Sequence, residues 1–213
     1  KPKKIDGKTK SFACLPFIKN KKICYLIFAT TSNPGKKLYR FKEEFRRIIG
    51  TIIRYAEKNK ISSLAIQIPS IDNFPSDEIV QQTTIATTLA DYHFDEFITD
   101  KKQKISHIKE LIFITNKQDE ATAEKEIKKG QVIAQAVNNA RLWVDLPPGK
   151  FTPADAAEKA KEIAKKHNLK ITIFDEKQII KKGLGGLAAV SQGSHNDCQF
   201  IVLEYTPKEK NVD

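Results

Sequence analysis

The sequence predicts an α/β protein in two parts, and three patterns predict it. Two short apolar runs near the amino terminus read as a β-hairpin. Strand-like and helix-like periods then alternate through the following hundred residues. A long helical pattern after that stops at a double proline, beyond which a second alternation begins. Alternating strands and helices favour layers with helices packed on a sheet. The opening hairpin makes a mixed sheet the expectation for the first part, since a hairpin pairs antiparallel.

The hairpin runs are Phe12 to Ile18 and Ile23 to Ala29, joined by Lys19-Asn20-Lys21-Lys22 and followed by the turn signal Asn33-Pro34-Gly35. From Leu38 the period lengthens. Leu38, Phe41, Phe45, Ile48, Ile49, Ile52, Ile53 and Ala56 recur at steps of three and four with Lys, Glu and Arg between them, which predicts an amphipathic helix of about five turns. Ser63 to Ile68 predicts a strand stopped by Pro69, and Pro75-Ser76-Asp77-Glu78 opens a helix with Ile79, Thr83, Ala86 and Ala90 on one face. Phe94–Thr99 and Ile108–Thr115 predict strands, the second buried because Leu111 to Ile114 is continuously apolar.

Residues 119 to 143 carry the longest helical pattern, with Ala123, Ile127, Gly130, Ala134, Val137 and Arg141 on one stripe. Its small residues permit close packing. Pro147 and Pro148 forbid continuation, so a domain boundary is expected there. Three segments follow from this: a domain over 1–118, a linker helix and Pro-Pro junction over 119–150, and a further α/β part over 151–213. In the last, Thr152 suits an N-cap, Pro153 the first helical position and Asp155 the positive helix end. That helix should reach His167. A strand at Ile171–Phe174, a short helix over Asp175–Lys182, a short strand at Leu187–Val190 and a strand at Phe200–Tyr205 complete the pattern. Some sixty residues make about one βα layer, small for an independent domain, so this part reads as cut off.

Composition narrows the function classes. The 213 residues hold 37 Lys and Arg against 26 Asp and Glu, a formal net charge of +11, and 40% are hydrophobic, enough for a packed core. No apolar run reaches the length of a membrane span, and no secretory signal is visible at the amino terminus. Cys14, Cys24 and Cys198 fit neither a disulfide framework nor a zinc spacing, which favours a reducing, cytoplasmic setting. Met is absent and the chain begins at Lys1, where about four or five Met are expected. A fragment, chance rarity and modified methionines left unwritten all fit that.

No residue pattern marks a catalytic centre. His93, His107, His167 and His195 are far apart in sequence, form no ligand pair and read as surface or boundary residues. Gly183-Leu184-Gly185-Gly186 follows a predicted helix and precedes a predicted strand, the reverse of a phosphate cradle, and reads as a helix C-cap. Ser191 and Ser194 lack the nucleophile-elbow context and read as loop chemistry. Eight lysines in the first 22 residues would attract phosphate backbones, but no nucleic-acid motif accompanies them and a solvated lysine-rich surface is the preferred account.

One stretch goes further. Ala140-Arg141-Leu142-Trp143-Val144-Asp145-Leu146-Pro147-Pro148-Gly149-Lys150-Phe151-Thr152-Pro153 resembles the A-R-x-x-V-N-x-P-P-N-x-x-T-P junction of the leucyl (cytosol) aminopeptidases, a family of dinuclear metallopeptidases. Gly183 to Ser194 is similar to that family's G-M-G-x-x-x-A-V-x-x-G-S segment, and Phe200 to Tyr205 to the strand after it. Asp145 and Gly149 replace the usual asparagines and Leu184 the usual Met, none of them a metal ligand in the family. The first 118 residues carry no motif of the family.

The resemblance implies a macro-domain-like amino-terminal mixed sheet flanked by helices, a long linker helix, then the truncated start of an α/β catalytic domain. It implies release of N-terminal residues from peptides, with two zinc or manganese ions generating a hydroxide nucleophile and polarising the scissile carbonyl. A lysine and an arginine would stabilise the oxyanion. It further implies a hexamer, and in some bacterial relatives an amino-terminal domain that helps bind DNA. The family's G-K-G-x-x-x-D-S-G-G and N-T-D-A-E-G-R stretches do not occur here, so no catalytic, metal-binding or substrate-binding residue is expected in this chain, and the chain alone should be inactive. A structural role in oligomer assembly is the remaining alternative for the first domain.

Overall fold

The computed structural model describes residues 12–19, 22–29, 38–71, 74–100, 106–115 and 119–207. The chain divides into two compact units, Lys1–Leu142 and Trp143–Asp213.

The first unit opens with β1 (Phe12–Lys19) and β2 (Lys22–Ala29), paired antiparallel with Leu15 opposite Leu26 and Phe17 opposite Cys24. The expected Asn33-Pro34-Gly35 turn lies outside the described residues. Strand alternation puts Cys14, Tyr25 and Ile27 on one face, half-buried, where the Tyr25 ring meets Tyr55 edge-on at 6.4 Å. Leu15, Phe17, Leu26 and Phe28 share the other face, each about half exposed.

Helix α1 (Leu38–Lys58) supplies the core. Phe41, Phe45, Ile49, Ile53 and Ala56 form a cluster with Leu64, Phe74, Ile79 and Ala86, and Phe41 meets Phe74 edge-on at 4.9 Å. The helix ends in a Schellman turn. Lys60 is left-handed at φ 56°, the Ile61 N–H donates to the Ala56 carbonyl and the Lys60 N–H to that of Glu57.

Strand β3 (Ser63–Gln67), helix α2 (Ser76–Ala90) and strand β4 (Glu110–Ile114) form a βαβ unit, with β3 and β4 parallel and Leu64 opposite Leu111. Helix α2 contains four threonines and three β-branched apolar residues, a poor helix former by propensity. Burial overrides that: Ile79, Val80 and Gln82 to Thr87 are all buried. Helix α3 (Glu120–Asp145) crosses α2 at Gly130, where an added Cβ would sit 2.9 Å from Thr84 Cβ and 3.0 Å from the Gln81 carbonyl oxygen.

The second unit contains α4 (Pro153–His167), β5 (Lys170–Phe174), α5 (Glu176–Lys181), α6 (Gly185–Ser191) and β6 (Phe200–Glu204), with β5 and β6 antiparallel. Its helix starts are written in the sequence. Thr152 and Asp155 form a capping box for α4 with Pro153 in the first turn, and Asp175 and Gln178 form another for α5. Ala157, Ala160, Ala164 and Ile179 make its buried core.

Antiparallel and parallel pairs thus coexist in the first unit, and the described strands pair two by two. Three expectations are corrected. Phe94–Thr99 is not a strand: the Ile98 N–H bonds the Asp95 carbonyl in a turn, where Asp95-Glu96 suits a bend better than a ladder. Leu187–Val190 is not a strand but the middle of α6, whose Ala188-Ala189 pair favours helix over strand. The glycine run therefore precedes a helix, and Gly183 at φ +71° ends α5 in a second Schellman turn, with the Leu184 N–H on the Ile179 carbonyl and the Gly183 N–H on that of Ile180. Third, β4 is not buried on both faces: Ile112 and Ile114 are about half exposed.

Candidate functional site

The side chains that could carry chemistry in the first unit gather where α2 ends. His93 and His107, distant in sequence, have ring centroids 5.9 Å apart. His93 Nε2 lies 2.8 Å from Glu57 Oε1 and 2.7 Å from the Arg54 guanidinium, and the ring's tautomer sets which of the two it bonds. His107 Nδ1 lies 3.2 Å from Asp91 Oδ2, while Asp91 Oδ1 accepts the Ile108 N–H at 2.8 Å.

Asp91, His93 and His107 line an opening of about 480 Å³ between α2, the segment entering β4, and α3, together with Thr87, Tyr92 and Asn138. Its size suits a small molecule. Its imidazoles are already paired, each facing a carboxylate. The Thr87 hydroxyl is buried without a hydrogen-bond partner, as is that of Thr83.

A second opening, about 440 Å³, lies at the carboxyl ends of β3 and β4, lined by Gln67, Ser70, Ser76 and Asp119 among others. Open parallel sheets place ligands at such ends. None of its described lining residues is cationic.

A polar chain ties the three helices together. Arg46 of α1 donates to Gln82 at 2.6 Å, Gln82 reaches Gln81, and Gln81 donates to Glu126 Oε2 at 2.8 Å. Lys129 completes it, 2.5 Å from Glu126 Oε1. The Lys129 ammonium holds the Glu126 carboxyl below the usual carboxylate range; partial burial opposes the shift and the Gln81 bond adds to it. Below the hairpin, a hydrogen bond with Cys14, with burial second, pushes the Tyr55 phenol up to about 12.

Further along α3, Asn138 Nδ2 donates to the Thr88 carbonyl at 3.1 Å and Arg141 donates to the Leu89 carbonyl at 2.8 Å. The Arg141 guanidinium also lies 5.0 Å over the Tyr92 ring.

In the second unit the junction folds on itself. Trp143 and Phe151 stack at 5.6 Å, nearly parallel, and the Lys150 and Phe151 N–H groups donate to the Pro147 carbonyl. Ser191 Oγ donates back to the Ala188 carbonyl, and Ser194 Oγ accepts the Asn196 N–H, both turn-type bonds. His167 and His195 are exposed, and no disulfide joins Cys14, Cys24 and Cys198.

Among the described residues no three His, Cys, Asp or Glu side chains converge as metal donors. The described residues therefore do not fit the dinuclear centre implied by the resemblance. No helix among the described residues is long and apolar enough to cross a membrane.

The paired histidines, the Glu126 chain and the Asn138–Arg141 contacts have no signature in a linear motif. The one available signal is the continuation of the Gly130–Ala134 stripe to Asn138 and Arg141, three or four residues per step.

Comparison with known proteins gives this arrangement a class. The cytosol aminopeptidase family's N-terminal domain model matches residues 3–101, and its catalytic domain model matches residues 138–213. The chain belongs to the cytosol aminopeptidase family. A probable cytosol aminopeptidase of Sulfurihydrogenibium sp. (strain YO3AOP1) is 33% identical over 82% of the chain. One of Aquifex aeolicus (strain VF5) is 32% identical over 83%. The chain spans 34% of the length of each. In fold it is similar to a tomato leucine aminopeptidase mutant, with TM-score 0.74 and 19% identity over 96% of this chain and 40% of that one. The bottromycin maturation enzyme BotP in complex with Mn is likewise similar, with TM-score 0.73 and 20% identity over 92% and 40%.

Proposed function

We propose that these 213 residues are the amino-terminal domain, linker helix and beginning of the catalytic domain of a cytoplasmic aminopeptidase that releases N-terminal amino acids from peptides. The observation that supports this reading best is the order of the two domain matches, with the Arg141 to Pro153 junction at the start of the second. Two divalent ions, zinc or manganese, would polarise the scissile carbonyl and furnish hydroxide in the complete enzyme. Their donors and the catalytic lysine and arginine lie outside these residues, so this chain is a scaffold and is itself inactive. The complete enzyme assembles as a homo-hexamer.

The full-length protein loaded with Zn²⁺ or Mn²⁺ is expected to hydrolyse leucine amide and to lose that activity on chelation. Absence of aminoacyl hydrolysis by the metal-loaded protein overturns the reading. Measurable turnover by the 213-residue chain overturns its assignment as an inactive scaffold.

A second reading concerns the first domain alone and is motivated by its lysines. A basic accessory surface binds duplex DNA through counterion release, with an affinity that falls steeply as salt rises. No mobility shift at low salt excludes it and leaves an assembly role.

A further inference from the structure

We infer that Arg141, with Asn138, is a positioning residue that caps the carboxyl end of α2 from another helix and thereby fixes the last turns of α3. The last carbonyls of any helix lack intrahelical partners and carry the negative end of its dipole. Helix α2 has no basic residue in its own last turn. Asp91 closes one carbonyl, its N–H bonding that of Thr87 at 3.0 Å. The next two, on Thr88 and Leu89, accept from Asn138 and Arg141 of α3.

The contact has three independent parts. Arg141 puts its cation at the negative helix end, spans to Asn138 Oδ1 at 3.3 Å, and lies on the Tyr92 ring. Lysine reproduces the charge but not the planar fork or the ring contact.

The segment so held is the one that matters. Beyond Ala134, which is fully buried, α3 buries no further residue, and Val137, Ala140 and Val144 are exposed. Asn138 and Arg141 thus hold this stretch to α2, and α3 continues from them to Asp145 at the Pro-Pro junction. The arginine of the junction segment therefore acts on helix α2 and on the order of residues 138–145, as distinct from any reacting group.

The test is amide hydrogen exchange read by mass spectrometry on the 213-residue chain. Arg141→Ala should speed exchange of residues 138–145 by about tenfold or more, with α1, β3 and β4 changed less than about twofold. Unchanged exchange over 138–145, or an equal rise throughout the first unit, overturns the assignment. Should Arg141→Ala fail to fold, Arg141→Lys and Arg141→Gln carry the test. The Lys variant should protect 138–145 better than Gln at low salt, and the gap should close at about 1 M salt, where the Debye length is about 3 Å. Equal exchange in the two at low salt overturns it as well.

Discussion

Gly130 is hemmed in by two rigid neighbours: the Thr84 Cβ and the Gln81 carbonyl leave no room for a methyl group. Alanine would gain about 1 kcal/mol of helix propensity over glycine, while overpacking costs about 1–3 kcal/mol. Neither neighbour is the end of a flexible side chain, so Gly130→Ala should be net destabilising by about 1–2 kcal/mol in urea unfolding. Glu126 makes a different kind of contribution. Its carboxyl titrates below the ordinary value near 4.5 because Lys129 and Gln81 favour the anion. A depressed acid stabilises the folded state above its unfolded value and loses that contribution as pH falls through its folded value. Glu126→Gln should therefore reduce stability at about pH 7, and its gap to the parent should close as pH falls below the ordinary carboxylate value, a trend readable from denaturation midpoints.

The elements differ in how they were legible. Helix α1 was readable end to end because one period runs through it, and Ile53, with no exposed surface, sits at the centre of its buried face. Ile53→Ala should cost about 2–5 kcal/mol, measured as a lower denaturation midpoint. Helix α4 was readable from its cap. Thr152→Ala should cost about 0.5–2 kcal/mol, and Thr152→Ser much less, by the same measurement. Strands were misread where the evidence was a segment of four to six residues. Phe94–Thr99 and Leu187–Val190 are too short for a period to declare itself, and a turn bond or a helix cap decided them. The continuous run in β4 suggested two covered faces, yet a residue's apolarity does not create the layer that would bury it. Ile112 and Ile114 remain half exposed.

At the scale of the molecule, the family follows from two domain matches in order, and the curated relatives that the chain matches are about three times as long. The expected outcomes are accordingly split. Leucine amide hydrolysis should appear with the full-length metal-loaded protein and vanish on chelation. Any DNA affinity should reside in the first domain, where eight lysines occupy 22 residues, and should fall with a logarithmic salt slope of about −0.9 per phosphate contacted.

What the amino-acid sequence by itself determined was local: periods, caps, proline stops and the junction segment that pointed to the family. Each of these is a relation among residues within about one helix length, so a linear reading reaches it. What only the tertiary structure decided was pairing across distance. His93 meets His107 because α2 ends beside the entry to β4, Glu126 meets Gln81 because α3 crosses α2 at a glycine, and Arg141 finds the Leu89 carbonyl 52 positions back along the chain. A helix end needs donors but does not specify from where they come; only packing supplies the neighbour.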